Sequence, residues 1–382
     1  MKIIDNNRPT FLLSRNTTDI RIECPDSAQI EFSIIQGVTP RYKTTLIPLD
    51  GGIDIPVRDI LRSLKCRIPF ESLVGTSSKQ ISLPNIALVF SDPVSLETSS
   101  WQKCILDGGV GGDLESATIF QWLTWRPQES YTYKKAHERL YCVIPSTLND
   151  EDVVSLDVYV DIYTAFAGRR TVKYYSFEPL DRPSLAAVNV SYAQLVQHED
   201  IADLQDYSIV AYDVYANLAV VYGNNTTETF REHIRKQRFI LRQAPRSATS
   251  FVFLNSFGAY DSISSFGEVA RKVDAELSTA ITDMKEIVVA NDCTRSVEVN
   301  TGYISSERML AQWEDFFSSD EHYVALPSGD LVRIVLDNPS SKFVLNQLDA
   351  LTFSYRLAEN PSGRFYENTD LEYFDYDETA EL

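Results

Sequence analysis

Residues 156–162 read Leu-Asp-Val-Tyr-Val-Asp-Ile, and this stretch alternates apolar with polar side chains. Successive side chains of a β-strand point to opposite faces, so the apolar positions share one face. Those positions are Leu156, Val158, Val160 and Ile162. The alternation predicts a half-buried strand, with one face on a core. Antiparallel sheets commonly have this arrangement, which indicates a mainly β protein.

The same period of two recurs along the chain. Further examples are residues 30–34, 210–214 and 351–357. Residues 251–254, Phe-Val-Phe-Leu, are continuously apolar and predict a strand covered on both faces. Turn signals such as Asp50-Gly51-Gly52 separate the runs, as in antiparallel hairpins. We therefore predict a mainly β fold of antiparallel β-sandwich-like domains with a few short helices.

Two segments predict those helices. Residues 56–64 begin with a proline suited to a first helical turn and carry apolar residues at helical spacing. Residues 305–317 offer Ser305 as the N-cap and an apolar stripe that we expect to pack in a core. Residues 261–285 fit a helical period only in part, and an edge strand with a loop is the alternative. We predict irregular or mixed structure there.

The length of 382 residues suggests two or three domains. Breaks in the strand pattern, at residues 145–152 among others, mark the boundaries that we predict. These are a β-rich N-terminal domain at 1–146, a β-sandwich-like domain at 147–260, a β-rich C-terminal domain with one short helix at 261–366, and an acidic mobile tail at 367–382.

Charge bounds the partners of the chain. Lysine and arginine number 35 against 54 aspartates and glutamates, a net charge of −19. Such a balance argues against a nucleic-acid partner, because binding phosphates requires basic surfaces. No segment is apolar enough for a membrane span, and the first residues lack a signal-peptide core. We therefore expect no membrane span and synthesis in a cytoplasm.

The sequence contains no motif of a cofactor, metal or catalytic site. The 5 cysteines are scattered and form no CxxC pair, which argues against a disulfide framework or a zinc site. The glycine cluster at 107–113 lacks the Lys-Ser or Lys-Thr of a phosphate loop and predicts a flexible loop. A hydrolase with carboxylates brought together from distant strands remains an alternative. We predict a protein that is not an enzyme and has no cofactor.

Two aromatic groups are candidate binding residues. Trp101, Trp122 and Trp125 predict core packing, and the alternative is a platform on which a sugar ring stacks. The end of the chain mixes aromatic and acidic residues that could contact a basic partner, although a solvated end is the simpler interpretation. The candidate partner contacts are Tyr366, Tyr373, Phe374, Asp375, Tyr376 and Asp377.

Several short segments, in order, resemble a known family. They are FVFLNSFGAYD at 251–261, VEVNTGYIS at 297–305 ahead of the predicted helix, and SSDEHYVAL at 318–326. FQWLTWRPQ at 120–128 and the strand pair around 153–176 also fit. Together they resemble tail-type structural proteins of Bacteroidetes phages and prophages over roughly residues 115–366. Ala259 departs from the pattern, which has a second glycine at that position.

The resemblance implies a β-rich virion component of the tail or its attachment region, made in the host bacterial cytoplasm. Its implied partners are copies of itself and other phage structural proteins. It carries over no enzymatic residue. The matched positions are Asn255, Gly258 and Asp261. A turn explains all three, because glycine permits positive φ and the Asn and Asp side chains can cap turn backbone. A carbohydrate-binding module that recognises a host-surface glycan is the alternative function.

Overall fold

The computed structural model describes residues 1–4, 11–64, 67–70, 77–110, 120–148, 151–166, 168–222, 226–245, 247–282, 285–326, 330–337 and 350–358. Over these residues the chain is mainly β, with several antiparallel sheets and few short helices, as predicted. None of the helices in these ranges is long and apolar enough to cross a membrane.

Two sheets enclose the N-terminal core. The three-stranded sheet contains β1 (Lys2–Ile4), β3 (Ile20–Glu23) and β6 (Gly52–Ile55). The five-stranded sheet has the order β2 (Phe11–Leu13), β9 (Thr98–Leu106), β8 (Asn85–Ser91), β4 (Ile30–Gln36) and β5 (Thr39–Leu46). The predicted helix is present as α1 (Val57–Leu64), and its Val57 and Leu61 are buried in this core.

The middle of the chain forms a second pair of sheets. The larger sheet has the order β10 (Glu129–Thr132), β17 (Thr227–Leu241), β16 (Ile209–Val221), β13 (Glu151–Thr164) and β12 (Thr147–Leu148), with β14 (Gly168–Phe177) also paired to β13. The smaller sheet contains β11 (Arg139–Ile144), β15 (Ser184–Asn189) and β7 (Lys79–Ser82). The predicted apolar face of β13 is buried between them. The short helix α2 (Tyr192–Leu195) follows β15.

The C-terminal part is built on a single sheet. Its order is β19 (Tyr260–Ser265), β18 (Thr249–Leu254), β22 (His322–Ala325), β23 (Leu331–Asp337), β24 (Thr352–Leu357), β21 (Lys285–Asn300) and β20 (Val269–Thr282). Helix α3 (Glu307–Ser318) covers one face, where Trp313 and Phe316 are buried against Phe251 and Phe353. Residues 251–254 are buried on both faces, as predicted.

A further core cluster joins the three parts. It contains Leu106 from the N-terminal strands, Tyr141 and Leu185 from the middle, and Val252 and Tyr323 from the C-terminal sheet. Three sheets also cross the predicted domain limits, since strand β10 pairs with β17 on the other side of position 146. Strand β7 pairs with β15, and the β18–β19 hairpin spans position 260.

Two local predictions were wrong. Residues 261–265 and 269–282 are strand, in β19 and the long β20, which is closer to the edge-strand alternative than to the favoured irregular structure. The N-cap of α3 is Ser306, whose Oγ accepts a hydrogen bond from the N–H of Met309 at 3.2 Å. Ser305 lies one position before the cap, because the chain is still extended at Ser306 and becomes helical only at Glu307.

Candidate functional site

The turn between β18 and β19 lies where the resembling segments meet. Asn255 Oδ1 accepts hydrogen bonds from the N–H groups of Phe257 and Ala259, at 3.1 and 3.0 Å. Gly258 has a φ of 77°, which glycine adopts without strain. The predicted turn roles of Asn255 and Gly258 are therefore confirmed. Asn255 Nδ2 also donates to the carbonyl of Leu123 at 2.7 Å, so the turn is fixed to the 120–128 segment.

The same turn is packed backbone to backbone against the start of the glycine cluster. The N–H of Gly109 donates to the carbonyl of Ser256 at 2.7 Å. A Cβ atom added to Gly108 would come within 2.5 Å of the backbone of Phe257. The prediction of a flexible loop was therefore wrong for residues 107–110, which are tightly packed, while 111–113 lie outside the described residues.

Asp261 does not cap this turn, and that prediction was wrong. Its carboxylate is buried, where it accepts hydrogen bonds from the N–H of Ser262 at 2.8 Å and from the hydroxyl of Thr124. Arg126 Nη2 lies 3.4 Å from Asp261 Oδ1. Burial raises the pKa of the Asp261 carboxyl, although the Arg126 guanidinium acts in the opposite direction.

Glu138 is the second carboxylate on the same guanidinium. Arg126 Nη1 donates to Glu138 Oε2 at 2.5 Å, and Ser262 Oγ donates to the same oxygen at 2.8 Å. Thr132 Oγ1 donates to Glu138 Oε1 at 2.9 Å. Arg126, Glu138 and Asp261 are all buried. We call these three residues the ionic cluster; it connects the middle part to strand β19.

A cleft of about 60 Å³ adjoins the ionic cluster. Its acidic lining residues, Glu129 and Glu138, come from one segment of chain, whereas Asp261 is not among the lining residues. A hydrolase of the type considered above needs two acids from distant strands facing one cleft. The described residues around this cleft do not provide that pair.

The three tryptophans do not form a common platform. Trp101 is buried in the N-terminal core, and Trp122 is buried in the middle core. Trp125 is half-buried against Phe257 in the joining cluster, and its Nε1 donates to Ser256 Oγ at 2.7 Å. The favoured interpretation of core packing is confirmed for Trp101 and Trp122. The candidate contacts Tyr366, Tyr373, Phe374, Asp375, Tyr376 and Asp377 lie outside the described residues.

The long hairpin of β20 and β21 is the feature that the sequence interpretation missed. Strand β24 pairs with β21 only over Val297–Asn300. Beyond that point, residues 272–282 and 285–296 are paired with each other, and no other described strand pairs with them. We call these residues the arm. At roughly 3.3 Å per residue, the arm extends about 36 Å.

Both backbone edges of the arm are unpaired within the described chain. The side chains of residues 271–274 are exposed, including Val273 at 59%. An isolated two-stranded hairpin is marginally stable, and an open strand edge is a template for pairing with another chain. The sequence does contain a signal for this long hairpin. Residues 269–300 contain neither glycine nor proline and are rich in β-branched residues.

No protein-family model matches this chain, and no curated protein matches it.

Proposed function

We propose that this chain is a non-enzymatic structural protein of a phage virion, in the tail or its attachment region. It assembles through protein–protein interfaces with copies of itself and with other virion proteins. The resemblance of the segments at 120–128, 251–261 and 297–326 supports the class. The turn and helix segments of that resemblance lie in contact, since Asp315 of α3 accepts hydrogen bonds from the N–H of Ser256 at 3.0 and 3.1 Å.

The observation that carries the assembly proposal is the arm. Its two open edges offer backbone N–H and C=O groups along about 36 Å of strand. Pairing with a strand of a neighbouring subunit would satisfy these groups, and the alternating side chains would select the partner. Among the described strands, only the base of the hairpin pairs with the rest of its sheet. Pairing of the arm with a strand of a neighbour would therefore stabilise it.

The carbohydrate-binding alternative has no comparable support. Stacking on a sugar requires an open aromatic face, and Trp101 and Trp122 are buried in separate cores. We therefore propose assembly alone.

Shortening the arm tests the proposal. Asp274 and Thr294 are paired across the hairpin, so residues 275–293 can be replaced by Asn-Gly, which forms a tight hairpin turn. We expect the full chain to associate in a concentration-dependent manner in light scattering after gel filtration. The shortened chain should remain folded, with unchanged near-ultraviolet circular dichroism from Trp313, and should lose that association. A shortened chain that associates like the full chain would contradict the proposal.

A further inference from the structure

One end of the N-terminal sandwich exposes aliphatic side chains. Ile47 and Leu49 lie in the connection after β5, and Val94 and Leu96 lie in the turn after β8. These four side chains are between 75% and 84% exposed. A group of exposed aliphatic residues at loop tips indicates an interaction surface, whereas a single exposed aliphatic residue is ordinary.

The two connections form one continuous surface, because residues 24–27 bridge them. The N–H of Cys24 donates to the carbonyl of Gly51 at 2.9 Å. The hydroxyl of Ser27 donates to Asp92 Oδ2 at 2.7 Å. Glu23, Asp26 and Asp50 are exposed on this surface, and they outnumber Lys2, the register partner of Glu23. Glu97 is ion-paired with the Met1 ammonium at 2.7 Å. Arg21 lies against Gly52, but its guanidinium binds Asp54 at 3.0 Å. We call residues 23–27, 47–51 and 92–97 the acidic end.

Both turns hold their aliphatic residues in fixed positions. Asp50 and Gly51 have φ angles of 50° and 72°, as in a tight hairpin turn closed by mutual Leu49 and Gly52 backbone hydrogen bonds. Asp92 Oδ1 accepts from the N–H of Val94 at 2.8 Å.

Leu96 has a φ of 61° although it is 82% exposed. A left-handed conformation is unfavourable for leucine, and here it is not offset by burial of the side chain. Holding this exposed leucine in the left-handed conformation therefore lowers the stability of the isolated subunit.

The opposite end of the same sandwich is apolar and basic. Strands β4 and β5 pair from Ile30 and Leu46 at the acidic end to Gln36 and Thr39 at the other end. At that other end, Val38 is 96% exposed and Tyr42 is 52% exposed. Residues 37–46 contain Arg41 and Lys43 and no acidic residue. Lys43 lies opposite Ser33 at mid-strand and is ion-paired with Glu31 at 2.9 Å, although it remains 64% exposed. Arg41 is therefore the cation nearest this end. We call residues 37–43 the basic end.

We propose that the acidic end of one copy docks on the basic end of the next copy, head to tail. This rests on the proposed function, because it names the surfaces through which copies of the chain meet. The charges of the two ends are opposite, and each end also offers aliphatic area for burial. Two acidic ends repel each other, so a symmetric contact between like ends is disfavoured. A head-to-tail contact repeats from copy to copy and gives a ring or a filament.

The variant Val94→Ser with Leu96→Asn tests the acidic end. Asparagine accepts the left-handed conformation better than leucine, so the fold should be retained. We expect this variant to weaken self-association by about tenfold or more in sedimentation velocity over a concentration series. The matched control is Phe166→Ser, because Phe166 is 84% exposed in the β13–β14 turn of another sheet. It should associate like the wild type.

Charge reversal tests the pairing of the two ends. Arg41→Glu with Lys43→Glu should weaken association by a similar factor, and Glu23→Lys with Asp26→Lys in the same chain should restore it. If the wild type associates and every end variant associates equally well, this proposal is wrong while the proposed function stands. If arm shortening abolishes association and the end variants do not weaken it, the head-to-tail proposal is likewise wrong and the proposed function stands. A wild type that stays monomeric at all concentrations contradicts both proposals.

Discussion

Gly258 shows how a single residue can decide whether two parts of this chain fit together. Its φ is 77°, and an added Cβ would come within 2.7 Å of the carbonyl oxygen of Asp107. The neighbouring atom is backbone, so it cannot move away as a flexible side chain could. Asp107 is itself held by the hydroxyl of Ser14 at 2.9 Å and by Arg67 Nε at 3.2 Å. The turn and the 107–110 segment therefore have one well-defined separation.

We expect Gly258→Ala to destabilise the fold by about 3 kcal/mol, combining the left-handed backbone penalty with displacement of packed backbone. Gly168→Ala is the matched control, because Gly168 has a φ of 78° and no atom within 4 Å of an added Cβ. It should lose only about 1 kcal/mol. Urea unfolding followed by tryptophan fluorescence measures both. If the two variants lose the same unfolding free energy, the close packing of Gly258 against Asp107 does not contribute to stability.

At the scale of elements, sequence periodicity predicted those strands that have a core on one side. The alternation in β13 was informative because Leu156 and its apolar neighbours are buried while Asp157 is not. At residues 271–274, where the arm begins, all four side chains are exposed, so burial imposes no period of two there. The strands of the arm were therefore missed. Adjacent serines made the α3 cap ambiguous, since the backbone entering the helix selects between Ser305 and Ser306.

The candidate site was only partly predictable, because some of its contacts are local in sequence and others are not. The roles of Asn255 and Gly258 follow from local turn chemistry, which a short sequence motif contains. The ionic cluster joins Arg126 to Asp261, which is 135 positions away in sequence. No local pattern marks such a pair, and it requires knowledge of which strands are neighbours.

Asp315 connects helix α3 to the β18–β19 turn, and it should make stability depend on pH. Burial raises its pKa to about 6, although the N–H of Ser256 lowers it in part. A raised pKa means that the folded state holds the proton more tightly than the unfolded state. The stabilisation of the folded state by protonated Asp315 is thus fully present below about pH 4 and is lost as the pH rises through about 6.

We compare the unfolding free energies of Asp315→Asn and the wild type. We expect the difference to shift in favour of the variant by on the order of 2 kcal/mol as the pH rises from 4 to 7.5, because the amide does not ionise. Denaturant unfolding of both proteins across this range isolates the contribution of Asp315 from those of the other acids. If the difference between the two proteins does not change with pH, Asp315 titrates normally in the folded chain.

At the scale of the whole molecule, the ionic cluster and the joining core make one structure from three sets of sheets. Arg126 comes just before β10, Glu138 comes just before β11, and Asp261 lies on β19. Arg126 also donates to the carbonyl of Ser262, so the guanidinium connects directly to the C-terminal sheet. Removing this cation leaves two buried carboxylates without their counter-ion, and such a loss costs about 3–5 kcal/mol.

We therefore expect Arg126→Met to destabilise the chain by about that amount at neutral pH. Adding Glu138→Gln and Asp261→Asn should recover much of the loss, because uncharged groups need no counter-ion. The deficit of the single variant should also shrink as the pH falls, since burial raises the pKa of the Asp261 carboxyl, which then binds a proton. Thermal unfolding of the wild type, the single variant and the triple variant at two pH values measures all of this. An equal deficit in the single and triple variants would mean that Arg126 acts through packing, including its position 5.1 Å from the ring centre of Phe239, and not through charge.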